Sequence, residues 1–251
     1  MTRRRPFLAL LFLVACGKQT PDTATPEPTP TPEPAADTAD GQPDGETPPE
    51  PEDQRTAHAR LCDDEGKAES CTALAVMLEK GREGDQDEGK AREYYGKGCE
   101  AGHDLACFNL AVMAHQGRGG AADAAEAAKM YGKSCDANMA DACYVAGTIA
   151  ESGEAGDDMV AMAPMLYGKA CEGGHLEGCT GLGRLHILGS GVDKDPTKAR
   201  ELFTKACDGG DASGCYNLAL AMEKGLGGKR DKAKAKELKA KACEAGLQSA
   251  C

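Results

Sequence analysis

The stretch Cys107-Phe108-Asn109-Leu110-Ala111-Val112-Met113-Ala114-His115-Gln116-Gly117 decides the fold. Leu110, Ala111, Met113 and Ala114 fall at helical spacing, and Gly117 supplies the left-handed conformation at which a helix stops. The spacing predicts a helix, A, from near Cys107 to His115. A second helix, B, rich in Ala and Lys, is expected from about Asp123 to Cys135, ending at Asn138, a residue that tolerates the same conformation. Outward from there the pattern returns every 36 residues, in Gly81, Gly117, Gly153, Gly189 and Gly225, in Ala91, Ala127, Ala163, Ala199 and Ala235, and in Lys97, Lys133, Lys169, Lys205 and Lys241. A fixed period of this length marks a helix-turn-helix array in which each unit buries its apolar face only against its neighbours. The expected fold class is all-α, a right-handed α/α solenoid. Five A-B units fit, at about 68–103, 104–139, 140–175, 176–211 and 212–247, within a repeat domain over 54–251. Arg55 to Cys62 reads as a lone capping helix of B type. Pro164 falls inside the third B helix, which is expected to start late, with the proline in its first turn.

Thirteen cysteines divide into one and twelve. The twelve form the pairs Cys62-Cys71, Cys99-Cys107, Cys135-Cys143, Cys171-Cys179, Cys207-Cys215 and Cys243-Cys251, five of them spaced C-x7-C. In each pair the first cysteine ends a B helix and the second opens the next A helix. Two antiparallel helix ends joined so closely bring their Cα atoms within the ~4.4–6.8 Å of a disulfide. Six local disulfides are predicted, one at each corner. Zinc would want C-x2-4-C pairs and thiol redox catalysis C-x-x-C, and neither spacing occurs; the five histidines show no ligand spacing either. No metal and no cofactor are expected.

The remaining cysteine follows an export signal over residues 1–15. Arg3, Arg4 and Arg5 precede the apolar run Phe7 to Ala15, too short for the ~20 residues that cross a bilayer. Leu13-Val14-Ala15-Cys16 resembles the bacterial lipobox, which implies lipidation of Cys16 and, with Gly17 rather than Asp next, transfer to the outer membrane. Arg4-Arg5-Pro6-Phe7-Leu8 also looks like a twin-arginine motif; the disulfide load favours the general secretory route, because folding then follows export. Residues 16–53 form a Pro, Thr and acid-rich tether that cannot bury a core. Ten acidic residues against one lysine give residues 17–53 a net charge of -9 out of the chain's -12. With the signal arginines also set aside, residues 54–251 carry -6. That balance excludes the basic footprint of a nucleic-acid binder, so no nucleic acid is expected as a partner.

The repeats resemble the Sel-one-like family, relatives of tetratricopeptide repeats, and within it the disulfide-stapled cysteine-rich proteins of Helicobacter. The resemblance rests on Cys107, Asn109, Leu110 and Ala111, on Cys215, Asn217, Leu218 and Ala219, on Gly189-Ser190-Gly191-Val192-Asp193-Lys194-Asp195, on Lys198-Ala199 and on Lys205-Ala206-Cys207. It covers about residues 55 to 251. Two departures stand out: the G-x-G-V loop is intact only in the fourth unit, and the aromatic near the end of helix A is replaced by Leu78, Ala114, Ala150, His186 and Met222.

Three functions follow for comparison. The first is a lipid-anchored cell-envelope scaffold, a monomer that binds a protein or peptide on the concave surface lined by A helices. Its candidate binding residues are Phe108, Asn109, His115, Tyr144, Thr148, Glu151, Arg184, Tyr216, Asn217 and Glu223; Asn109 and Asn217 resemble asparagines with which tetratricopeptide units hold a peptide backbone. The second, implied by the resemblance alone, is a β-lactam-binding protein or weak β-lactamase. The S-x-x-K, S-D-N and K-T-G elements of serine enzymes and the clustered histidines of metalloenzymes do not occur, so no catalytic residue is assigned. The third is a passive envelope spacer.

Overall fold

The computed structural model describes residues 52–251. The signal peptide, Cys16 and nearly all of the tether lie outside the described residues. The elements are α1 (Gln54–Asp63), α2 (Ala68–Lys80), α3 (Glu88–Glu100), α4 (Asp104–Gln116), α5 (Ala124–Asp136), α6 (Ala140–Ser152), α7 (Asp157–Val160), α8 (Ala163–Glu172), α9 (Leu176–Leu188), α10 (Pro196–Asp208), α11 (Ala212–Lys224) and α12 (Lys232–Glu244), then a 3-10 turn at Gln248–Ala250. Among the described residues every regular element is helical. From α1 to α6 and again from α8 to α12 each helix packs against the next, α6 meets α8 directly, and α7 touches α6. The result is an α/α solenoid with A helices α2, α4, α6, α9 and α11 and B helices α3, α5, α8, α10 and α12.

The periodic residues explain where the helices begin and end. The A helices stop at Gly81, Gly117, Gly153, Gly189 and Gly225, all left-handed, with φ between 64° and 74°. Four B helices start after an aspartate, Asp87, Asp123, Asp195 or Asp231, whose carboxylate accepts backbone N–H groups of the first turn at 2.9–3.0 Å. Such a cap is worth about 1 kcal/mol. The A helices begin earlier than the spacing predicts, α4 at Asp104 rather than near Cys107. In α4 the two opening residues, Asp104 and Leu105, are exposed and burial begins at Ala106, so the apolar period becomes visible only after the helix has begun. In the third unit α8 starts late at Ala163 with Pro164 in its first turn, where the missing N–H removes no helical bond.

A ladder of B-helix rings, Tyr95, Tyr131, Tyr167 and Phe203, forms the centre of the core, each nearly fully buried. Burying such a ring stabilises by about 1.5–3 kcal/mol. Small A-helix residues make room for it: a Cβ added to Gly147 would lie 2.8 Å from the Tyr167 ring, and one added to Gly183 would lie 2.6 Å from Phe203. In the fifth unit the same column holds Lys239.

All six predicted disulfides are present, with Cα separations of 4.3–5.0 Å. Six such bonds suit an oxidising compartment outside the cytoplasm. Charged columns tie each unit to the next. Arg55, Arg92 and Arg200 reach forward to the loop carbonyls of Asp85, Ala121 and Lys229 at 3.0–3.2 Å. Lys97 and Lys169 reach back to Asp63 and Asp136, and Lys205 and Lys241 to the carbonyls of Cys171 and Cys207. These ammonium groups sit at the C-terminal ends of the preceding B helices, where the helix dipole favours positive charge.

Candidate functional site

The A helices of successive units touch one another, α6 against α9 and α9 against α11, so their outward side chains share one surface. A cleft of about 210 Å³ opens there, lined among others by Tyr144, Thr148 and Glu151 of α6, Arg184 of α9, Tyr167 of α8 and Asp211 before α11. Four of the ten residues expected from sequence meet in it: Tyr144, Thr148, Glu151 and Arg184.

Their geometry is set by internal bonds. Tyr167 donates its hydroxyl to Glu151 at 2.7 Å, and Arg184 pairs with the other oxygen of the same carboxylate. Burial, followed by the bond to Glu151, pushes the Tyr167 phenol far above its ordinary value and keeps it a donor. Tyr144 stacks on the His175 ring with centroids 4.2 Å apart and planes 17° from parallel. Burial first, then the charge of Glu177, raises its phenol as well. Thr180 donates to Asp211 at 2.5 Å, while Asp211 caps α11 by accepting from Ser213 and Gly214. Thr148 bonds back to the Val145 carbonyl at 2.7 Å. The cleft therefore offers carboxylates of Glu151, Glu177 and Asp211 around one guanidinium, beside a tyrosine face.

Arg184 also borders a second groove of about 240 Å³, lined by Ile187, Leu188, Asn217, Leu220 and Leu226 over the Phe203 ring. Leu188 is 68% exposed, the most exposed large apolar side chain described. Asn217 lies on this rim but gives its amide to the Ser213 carbonyl at 2.8 Å. A charged cleft and an apolar groove thus adjoin across one arginine.

The other expected residues are spread along the A-helix surface. Phe108, half-buried, meets Tyr131 edge-on with centroids 5.5 Å apart. Asn109 and Tyr216 are half-buried on α4 and α11, and His115 is exposed, its Nε2 4.0 Å from Glu154. Glu223 is engaged by Lys239 at 2.7 Å, which holds its carboxyl below the usual range. The same A-to-B link recurs sixteen residues apart as Glu79 with Tyr95 and as Glu151 with Tyr167. The carboxylates of this column therefore brace three of the five units as well as facing outward. Tyr167, Asp211 and Leu188 are site residues that the sequence reading missed. The spacing of Tyr95, Tyr131, Tyr167 and Phe203 was a signal that could have found the first.

The surface thus combines hydrogen-bond acceptors, an aromatic face, a guanidinium and an apolar trough. Among the described residues no group of three or more His, Cys, Asp or Glu is placed to hold a metal ion, and no helix is long and apolar enough to cross a membrane.

The family model of the Sel1 repeat matches residues 68–103, 104–139, 176–211 and 212–247. No curated protein matches. Among solved structures, a protective antigen of uropathogenic Escherichia coli strains displaying an SLR fold is similar at 26% identity, with a TM-score of 0.67 over 79% of this chain and 43% of the antigen. The chain thus spans less than half the length of that protein. A Sel1 repeat protein from Oxalobacter formigenes is similar at 24% identity, with a TM-score of 0.69 over 78% of this chain and 82% of that one. Helicobacter pylori cysteine-rich protein B is 29% identical over 52% of this chain and 93% of its own, with a TM-score of 0.43.

Proposed function

Because the chain belongs to the Sel1 repeat family, whose repeats mediate protein–protein interaction, we propose that it is a lipid-anchored scaffold of the bacterial cell envelope that holds a protein or peptide against its A helices. The observation that carries this reading is the adjacency of the charged cleft and the apolar groove across Arg184. An extended segment laid over α6, α9 and α11 would place a polar or basic group among Glu151, Glu177 and Asp211. The same segment would place an apolar side chain over Ile187, Leu188 and Leu220. Interfaces are strongest where an apolar anchor enters a pocket rimmed by satisfied polar groups, and the paired grooves provide both. The anchor at Cys16 and the acidic tether would keep this surface at the membrane while letting it search a distance on the order of 100 Å, at ~3.1 Å per residue.

Panning the repeat domain against a displayed peptide library, followed by equilibrium binding of the selected peptides, tests the surface. Leu188→Asp and Glu177→Gln should each weaken binding by roughly tenfold, the ~1–2 kcal/mol of a contact at the edge of a hot spot. Both side chains are exposed, so melting temperatures should hardly move. A passive spacer would yield no saturable peptide, and peptides whose affinity ignored both substitutions would locate the site elsewhere. For the anchor, Cys16→Ser should shift the protein from the membrane to the soluble envelope fraction.

A further inference from the structure

Two corresponding grooves open between neighbouring B helices, and their linings differ. The one between α3 and α5, about 450 Å³, is bordered by six charged side chains, Arg92, Glu93, Glu100, Glu126, Lys129 and Lys133, and the Arg92–Glu126 ion pair spans it. The one between α8 and α10, about 440 Å³, is lined by Pro164, Met165, Leu182, His186 and Val192. Among the described residues no ion pair crosses it.

The difference has a cause in the sequence. Arg55, Arg92 and Arg200 each lie over a loop glycine of the following unit; a Cβ on Gly120 or Gly228 would stand 2.6 Å from the Arg92 or Arg200 guanidinium. Guanidinium and side chain exclude each other there. Where the third unit meets the fourth, both partners have changed, with Pro164 in the arginine column and Val192 in the glycine column. Two apolar side chains thus replace the cation that elsewhere reaches forward.

Beside them stands His186, in a column that holds Leu78, Ala114, Ala150 and Met222 in the other units. It is only 7% exposed. Its Nδ1 lies 3.1 Å from the Asp193 carbonyl. A carbonyl oxygen only accepts, so Nδ1 carries the proton and the neutral ring keeps a lone pair at Nε2. Among the described residues nothing bonds that nitrogen. Nor is it sealed, since the buried ring nitrogens without a partner are Nδ1 of His58 and Nδ1 of His175. Nε2 of His186 is therefore an acceptor open to the groove that the residue lines. An apolar side chain would fill the column with no acceptor to satisfy, so packing does not account for the imidazole. The rim adds little charge. Lys169 is held by Asp136 at 2.7 Å, and the other two rim charges, Lys198 and Glu172, are of opposite sign.

We propose that this groove binds a small neutral aromatic molecule of the phenol class, its hydroxyl donating to Nε2 of His186 and its ring lying on Pro164, Leu182 and Val192. Small-molecule sites of about 300–1,000 Å³ combine apolar walls with a few placed polar groups, and this groove has that make-up. The bond from Nδ1 to the Asp193 backbone fixes the tautomer and the ring orientation that the hydroxyl meets. The corresponding groove between α3 and α5 is spanned by its ion pair, so one site per chain is expected.

The test titrates the full chain, its histidines labelled with nitrogen-15, with para-cresol and in parallel with 4-methylanisole, which has the same ring and no donor. Para-cresol should saturate and shift the Nε2 signal of His186, while the ether should bind at least roughly tenfold more weakly. H186F keeps a ring in the column and removes the acceptor; it should weaken para-cresol by roughly tenfold and bind both compounds alike. A second variant, P164R/V192G, installs a pair that the sibling junctions already accommodate, and its guanidinium should exclude para-cresol. No saturation by para-cresol, equal binding of the ether, an unmoved His186 nitrogen, or full affinity in either variant overturns the proposal.

Discussion

At single residues, the tightest constraint is the contact between small A-helix positions and the B-helix rings. Gly147→Ala and Gly183→Ala push a methyl into the buried Tyr167 and Phe203 rings, so each should destabilise by about 1–3 kcal/mol in urea or thermal melts. Tyr131 offers a separate readout. Burial pushes its phenol up to about 12. A phenol raised in the folded state contributes stability that is full below the ordinary value of ~10 and is lost as pH rises through the folded one. Tyr131→Phe should therefore lessen the fall in melting temperature between about pH 10 and 12, while the difference at pH 7 is unaffected by titration. An alkaline loss as steep in the variant as in the native chain would show that this phenol takes no part. At this scale the sequence disclosed columns but not contacts. Glu151 could be placed on the outward face from its spacing, whereas its bonds to Tyr167 and Arg184 join residues 16 and 33 positions away. Those pairings depend on how units stack, which residue spacing does not encode.

Helices divide the glycines into two kinds. Gly98 of α3 lies under Ala106 and Thr72, each 2.9 Å from where a Cβ would stand, and so lets α3 approach both neighbours. Gly96 of α3 and Gly132 of α5 have nothing within 4 Å of that point and ordinary negative φ. Their backbone freedom in the unfolded chain is a plain loss, so Gly96→Ala and Gly132→Ala should each stabilise by about 0.4–1 kcal/mol, additively. A Gly98→Ala control should do the reverse. Helix ends were legible wherever a residue type carries the mechanism, as in the aspartate caps and the left-handed glycines. The A-helix starts were not, because the opening residues, Asp104 and Leu105 in α4, face solvent and the buried period begins only at Ala106.

Across the whole molecule, contacts link mainly adjacent helices, so damage should stay near its origin. Replacing Cys135 and Cys143 together by alanine should cost about 2.6 kcal/mol, the chain-entropy value for so short a loop, together with the packing of two buried sulfurs. Hydrogen exchange should quicken in α5 and α6 and leave α11 and α12 unaffected; a uniform increase along the array would contradict the nearest-neighbour picture. The period of 36 residues made this architecture legible, since three independent columns keep the same register through all five units. In the third unit Pro164 marked the late start of α8, whereas nothing in the period foretold the four-residue α7 before it.

Every disulfide here joins cysteines only eight or nine residues apart. If the chain is exported unfolded and N-terminus first, as the signal reading of its sequence expects, each corner can oxidise as soon as its own residues emerge, before the next pair follows. Maturation should run vectorially from Cys62 towards Cys251, needing an oxidant but no isomerase to undo wrong partners. The spacing that staples the folded array would then also keep each cysteine with its own partner during assembly.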